Sequence, residues 1–100
     1  MPDLARHDLE RRLFAALRSE EPDELEAALE EAHTRLQELA AAHAAAEARL
    51  EDQVERNPDA GLTDIAETLR VAAIASRERA ELTPLVAQLE VRAQRLRTDA

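Results

Sequence analysis

The feature that most constrains this chain is a run of apolar side chains that recurs every three or four residues between positions 25 and 50. Such spacing keeps apolar groups on one face of an α-helix and is typical of helices that pack lengthwise against another helix. The run consists of Leu25, Leu29, Ala32, Leu36, Leu39, His43, Ala46 and Leu50. It predicts a long helix over residues 23–56 whose apolar stripe needs a partner.

A second apolar stripe predicts a helix of similar length over residues 64–98. Between the two helices, Asn57 tolerates left-handed backbone geometry and Pro58 cannot continue a helical hydrogen-bond ladder, so residues 57–62 are predicted to form a turn. The inner face of the second helix is predicted to contain Ile65, Leu69, Ala72, Ala73, Ser76, Leu82, Val86, Leu89, Ala93 and Leu96. Two arms of matched length joined by a short turn indicate an antiparallel, coiled-coil-like hairpin.

A shorter helix over residues 3–18 is predicted to precede the hairpin. It begins after Pro2, and Ser19 either ends it or caps the next helix, whose first turn contains Pro22. The chain has one glycine and an aromatic content of 1%, and it is rich in residues that favour helices, so sheet is not expected. We predict an all-α, three-helix arrangement in which residues 1–100 form a single domain.

Pro84 leaves an alternative open in the last helix. An interior proline removes one backbone hydrogen bond and disfavours helical geometry at Thr83, so the helix is predicted to be kinked or broken near this position. A break would make Thr83-Pro84 the start of a fourth helix. The matched lengths of the two arms favour the kink.

The distribution of charge agrees with antiparallel arms. Residues 20–31 contain seven acidic side chains and no basic one, whereas Arg92, Arg95 and Arg97 lie near the end of the last helix. An antiparallel hairpin places these groups side by side, where opposite charges help to select the orientation.

Composition excludes several classes of function. The formal net charge of −9 opposes binding to nucleic acid and to anionic membranes, and no apolar stretch is long enough to span a bilayer. The chain has no cysteine, and its single glycine rules out a glycine-rich phosphate loop. We therefore expect a cytoplasmic protein that is not an enzyme and uses no cofactor.

One spacing resembles a metal site. Glu30 and His33 form an E-x-x-H pair, which in di-iron bundles places a carboxylate and an imidazole on one helix face. Such bundles need two of these motifs and further inward-facing glutamates, whereas heptad phase places Glu30 outward. These two residues are the only metal candidates, and a di-metal-binding bundle is one alternative function.

Acidic residues also gather around the predicted turn, and Asp59, Asp64 and Glu67 are predicted to form an acidic tip. This arrangement resembles the acidic-tipped coiled-coil hairpins of transcription factors that enter the secondary channel of bacterial RNA polymerase. The resemblance covers the hairpin alone. It implies a second alternative, a regulator whose tip inserts into a basic channel of a partner enzyme.

The hypothesis that the sequence favours most is a protein–protein interaction module: a homo-oligomeric helical scaffold, adaptor or small regulator. The first helix is long enough to cover only one half of the hairpin, so the alanine-rich half around residues 40–48, with Leu62, Val71 and Ile74, would stay exposed. We expect this half to pair with a second copy as a homodimeric bundle, or to bind an unidentified protein partner. The predicted interface residues are Leu25, Leu29, Leu36, Leu39, His43, Ala46, Leu50 and Ile74.

Overall fold

The computed structural model describes the backbone of residues 2–56 and 61–99, and the side chains of residues 8–56 and 61–99. Over these residues, every regular element is an α-helix: α1 is Pro2–Leu17, α2 is Pro22–Glu55 and α3 is Leu62–Asp99. The two long helices, α2 and α3, pack against each other. The predicted all-helical class and three-helix arrangement are therefore confirmed, while residues 57–60 of the predicted turn lie outside the described chain.

The start of α2 follows from its local sequence. The backbone N–H of Leu25 donates to the carbonyl of Glu21, which makes Pro22 the first helical residue, where its missing N–H costs no hydrogen bond. The Ser19 hydroxyl accepts a hydrogen bond from the Glu21 N–H and donates one to the Glu24 carboxylate. Ser19 thus stabilises the entry to α2.

The start of α3 differs from the sequence prediction. The Gly61 carbonyl accepts hydrogen bonds from the N–H groups of Asp64 and Ile65, so the helix begins at Leu62 and not at residue 64. Gly61 therefore occupies the capping position of α3, and the helix starts two residues earlier than predicted. Glycine is suitable there because the backbone carbonyl of the cap accepts the first hydrogen bonds of the helix.

The chain divides into two compact units. Unit 1 comprises Met1–Leu36 and Glu81–Ala100, and unit 2 comprises Gln37–Ala80. The first part of α2 shares unit 1 with the last part of α3, and the last part of α2 shares unit 2 with the first part of α3. The helix α1 belongs to unit 1 alone.

Large aliphatic side chains form the core of unit 1. Leu13 of α1, Leu25 of α2 and Leu89 of α3 have exposed fractions of 0%, so all three helices meet at this core. The other buried apolar residues of the unit include Leu9, Ala28, Leu29, Ala32, Leu82, Val86 and Ala93. Burying a leucine of this kind contributes about 1.5–3 kcal/mol, so the core carries most of the stabilisation of unit 1.

Polar contacts at the edge of this core link the helices of unit 1. The Arg12 guanidinium of α1 lies 2.7 Å from the Glu31 carboxylate of α2. The Arg92 guanidinium of α3 donates to the carbonyl of Ser19 at 3.3 Å. Both residues of the Arg12–Glu31 pair are about half exposed, so the pair contributes at most about 1 kcal/mol and mainly fixes the orientation of α1.

In unit 2 only part of the predicted inner face of α3 is covered: Ile65 and Ala72 are half-buried, whereas Leu69, Ala73 and Ser76 are exposed. The buried residue is Thr68, whereas Leu69 is half exposed. Counting back in sevens from Leu89 gives Leu82, Ala75 and Thr68, and all of these are buried. A continuous helix that packs along one side keeps one heptad phase, so Thr68 is buried although Leu69 is more apolar.

Pro84 lies inside α3, which continues without interruption to Asp99. A separate fourth helix beginning at Thr83 is therefore not present in the described chain. The Pro84 side chain is exposed, so the residue fills no space in the core. It removes a backbone hydrogen bond from the helix without adding apolar burial in return.

Replacing Leu89 by Ala is expected to lower the free energy of unfolding by about 2–5 kcal/mol, because it opens a cavity at a fully buried position. The matched control is Leu69→Ala on the same helix, where loss of a half-exposed side chain costs less than about 1 kcal/mol. Urea unfolding followed by circular dichroism, with all proteins at one concentration, measures both changes. Equal losses for the two variants would contradict the inward position assigned to Leu89.

Replacing Pro84 by Ala is expected to raise the free energy of unfolding by about 1–3 kcal/mol. Alanine restores the missing backbone hydrogen bond, and the gain is reduced by the greater freedom of the unfolded chain. The control is Pro22→Ala, which should give no comparable gain because Pro22 occupies the first position of α2. A lower stability for Pro84→Ala in the same urea experiment would show that the proline is needed by the fold.

Candidate interaction surface

Unit 2 has little apolar core. Among its described residues, Leu39 is the one large aliphatic side chain that is buried, and the other buried positions are Ala46, Thr68, Ala75 and Glu78. Alanines allow two helices to approach closely but bury little apolar area. The packing of α2 against α3 in this unit therefore stabilises it much less than the leucine core stabilises unit 1.

Most large apolar side chains of unit 2 face outward. The exposed ones are Val54, Leu62, Leu69, Val71 and Ile74. Exposure of Leu62, Val71 and Ile74 was expected from the sequence, and the structure confirms it. Where exposed apolar groups lie together, they commonly mark a surface that another molecule covers.

A groove between α2 and α3 includes Val71, one of these exposed residues. Its volume is about 420 Å³, and it is lined by Ala42, Ala45, Ala46, Arg49, Glu67, Thr68 and Val71. Ile74 lies one turn beyond Val71 on α3, so the two side chains are neighbours on the helix surface. Leu69 is about 160° around the helix from Val71 and therefore belongs to the opposite side of unit 2.

We call the groove and the neighbouring Ile74 the groove face. Small alanines form its α2 wall, whereas larger aliphatic side chains stand on its α3 wall. Arg49 on α2 and Glu67 on α3 are both exposed, and neither forms an ion pair with any residue that the structure describes. The groove face thus has one large and one small wall, with an available charge of opposite sign on each.

The eight predicted interface residues divide sharply by exposure. Leu25, Leu29, Leu39 and Ala46 are buried, and Leu36, His43 and Leu50 are half-buried, within the single chain. Ile74, with an exposed fraction of 56%, is the one residue of the set that is open to a second molecule. The α2 stripe is therefore largely covered within the chain.

His43 is half-buried, and its Nε2 atom lies 3.5 Å from the Glu47 carboxylate one turn further along α2. The half-buried ring thus pairs within its own helix.

The metal candidates Glu30 and His33 are both exposed. The His33 Nε2 atom lies 3.1 Å from the Glu90 carboxylate of α3, which connects the two helices within unit 1. Among the described residues, no group of three or more potential ligands is placed to hold a metal ion. In this structure His33 links helices, and Glu30 contributes its carbonyl to the Thr34 hydroxyl.

The acidic tip is described only in part, because Asp59 lies outside the described residues. Asp64 and Glu67 are exposed in the first two turns of α3. At the end of α2, a shallow groove of about 170 Å³ is lined by Ala48, Glu51, Asp52, Glu55 and Arg56. Arg56 pairs with Asp52 at 3.6 Å, which partly neutralises this acidic surface.

Unit 1 has a separate groove that the sequence analysis missed. It measures about 310 Å³ and is lined by Leu17, Ala87, Gln88, Val91, Arg92 and Arg95. Because it lies between α1 and α3, its existence depends on how α1 docks, and no local pattern in the sequence indicates that. The only available signal was Val91, an apolar residue outside the heptad positions of α3.

No family model, curated protein or solved structure matches this chain. Its function is therefore inferred from its own surfaces. Within the described part of the chain, none of the helices combines the length and apolar character that crossing a bilayer requires.

Proposed function

We propose that this protein is a protein–protein interaction module, a homo-oligomeric helical scaffold, adaptor or small regulator without catalytic activity. The observation that carries the proposal is the composition of unit 2, which exposes Val54, Leu62, Leu69, Val71 and Ile74 while burying Leu39. The groove face is the surface through which two copies associate.

Association stabilises unit 2 through burial of apolar surface. Val71 and Ile74 have exposed fractions of 48% and 56%, and complete burial of such side chains contributes about 1.5–3 kcal/mol each. Because each side chain is already about half buried, association can gain about half of that free energy at each position. A two-fold interface gains it twice, because both copies contribute the same residues.

The groove face suits a second copy because it is self-complementary. The α3 wall has large aliphatic side chains and the negative charge of Glu67. The α2 wall has small alanines and the positive charge of Arg49. Two such faces can place large against small and Arg49 against Glu67. Pairing the helices of two hairpins produces a four-helix arrangement, in which Val71 and Ile74 become interior residues.

Sedimentation equilibrium tests this assembly directly. The wild-type protein is expected to have twice the monomer mass of 11.1 kDa at high micromolar concentration. The double variant Val71→Ser with Ile74→Ser should be monomeric, because it removes the apolar surface of the α3 wall. Circular dichroism should show that the variant remains helical.

The matched control is Leu69→Ser, which removes an equally exposed apolar side chain from the opposite side of α3. It should leave the dimer mass unchanged. A wild-type mass of 11.1 kDa throughout the concentration range would refute self-association. Dissociation by Leu69→Ser alone would assign the interface to the other side of unit 2.

A further inference from the structure

We infer that the two copies are related by a two-fold axis parallel to the helices of unit 2, so that α3 of one copy lies over α2 of the other. Arg49 of each copy then forms an ion pair with Glu67 of the second copy. This inference rests on the proposed self-association through the groove face and specifies its geometry.

The shapes of the two walls select this axis. A two-fold axis parallel to the helices sets Val71 and Ile74 of one copy over Ala42 and Ala45 of the other, so large side chains meet small ones. A two-fold axis across the helices would instead set α2 over α2 and α3 over α3. Alanines would then face alanines across a gap, while the aliphatic side chains would crowd each other.

The charges select the same axis independently. Arg49 and Glu67 line the same groove from opposite helices, and neither has an ion-pair partner among the described residues. When α3 lies over α2 of the second copy, each arginine meets a glutamate, and the interface contains this pair twice. The symmetry therefore gives both charges a partner.

Arg49 and Glu67 act at the edge of the contact and not at its apolar centre. Charges placed there contribute mainly to the choice of partner and orientation, and like charges placed opposite each other oppose association. Reversing one charge therefore creates two repulsive pairs in a symmetric dimer. Because two repulsive pairs form, the weakening of the dimer by one substitution is doubled and is easier to measure.

The test uses the single variants Arg49→Glu and Glu67→Arg, alone and mixed. Each variant alone places like charges opposite each other twice, so its dimer dissociation constant should rise roughly tenfold or more. An equimolar mixture should recover wild-type association, because the mixed dimer contains two Arg–Glu pairs. Only folded chains can produce this recovery, so a variant that fails to fold cannot mimic the result.

The matched controls reverse charges elsewhere on α2. Glu51→Arg lies about 160° and Glu55→Arg about 120° around α2 from Arg49. Each control should associate like the wild type, and mixing the two should produce no preference for mixed dimers. Sedimentation velocity or native mass spectrometry measures the populations.

Introduced cysteines give a second readout, because the chain contains no cysteine. A mixture of Ala45→Cys and Val71→Cys chains should form a disulfide between the two kinds of chain under mild oxidation. Neither variant alone should cross-link efficiently, because the proposed axis keeps identical positions apart.

The outcomes separate this geometry from self-association itself. A wild-type protein that stays monomeric would remove the proposed function and the geometry together. A wild-type dimer whose Arg49→Glu and Glu67→Arg variants still form homodimers, without preference in the mixture, would overturn the geometry alone. Cross-linking of Ala45→Cys with itself would favour the axis across the helices.

Discussion

Packing of α3 against its neighbours in a single heptad phase is the constraint on which the rest of this structure depends. In unit 1 that phase places Leu82 and Leu89 in a core with Leu13 and Leu25. The same phase, continued toward the start of α3, buries Ala75 and Thr68. Since no break interrupts the helix at Pro84, the more apolar residues of the early part of α3 cannot turn inward independently.

The two units consequently differ in how they are stabilised. Unit 1 has three helices and buries leucines from each of them, whereas unit 2 has two helices that meet mainly through alanines and polar residues. A pair of helices with so small an interior gains little from the hydrophobic effect. Its aliphatic side chains stand outward, and a surface of this composition gains stability when another molecule covers it.

The shape and charges of the groove face restrict which molecules can cover this exposed apolar surface. An interface built only from apolar residues would accept many partners, since the hydrophobic effect is not directional. Unequal walls and one charge on each wall add requirements of shape and sign, which a second copy meets in one orientation. Our proposal of a symmetric assembly therefore rests on complementarity as well as on exposed apolar area.

The helices could be predicted well from the sequence, because the signals that place them are local and repetitive. The four- and three-residue steps from Leu25 onward indicated α2, and Pro22 matched its start. The prediction that Leu69 faces inward was wrong, because local sequence does not decide which residue is buried there. Hydrophobicity ranked Leu69 above Thr68, but a distant leucine series in the same helix decided which of the two is buried.

The candidate site was only partly predictable. Exposure of Val71 and Ile74 followed from the short reach of the first helix, whereas the groove itself and the roles of Arg49 and Glu67 did not. Those two residues are far apart in sequence, and nothing in the spacing of charges along either helix shows that they share a groove. The weak E-x-x-H pattern also had a tertiary explanation, since His33 contacts Glu90 on another helix.

The sequence by itself determined that this chain is helical, where its long helices run and that their apolar stripes must meet, because propensity, caps and heptad spacing act over a few residues. Only the tertiary structure decided which side chains the stripes cover and which they leave outward. That decision depends on helix phase and on contacts between distant residues. The surface available for binding is what remains after those contacts have formed.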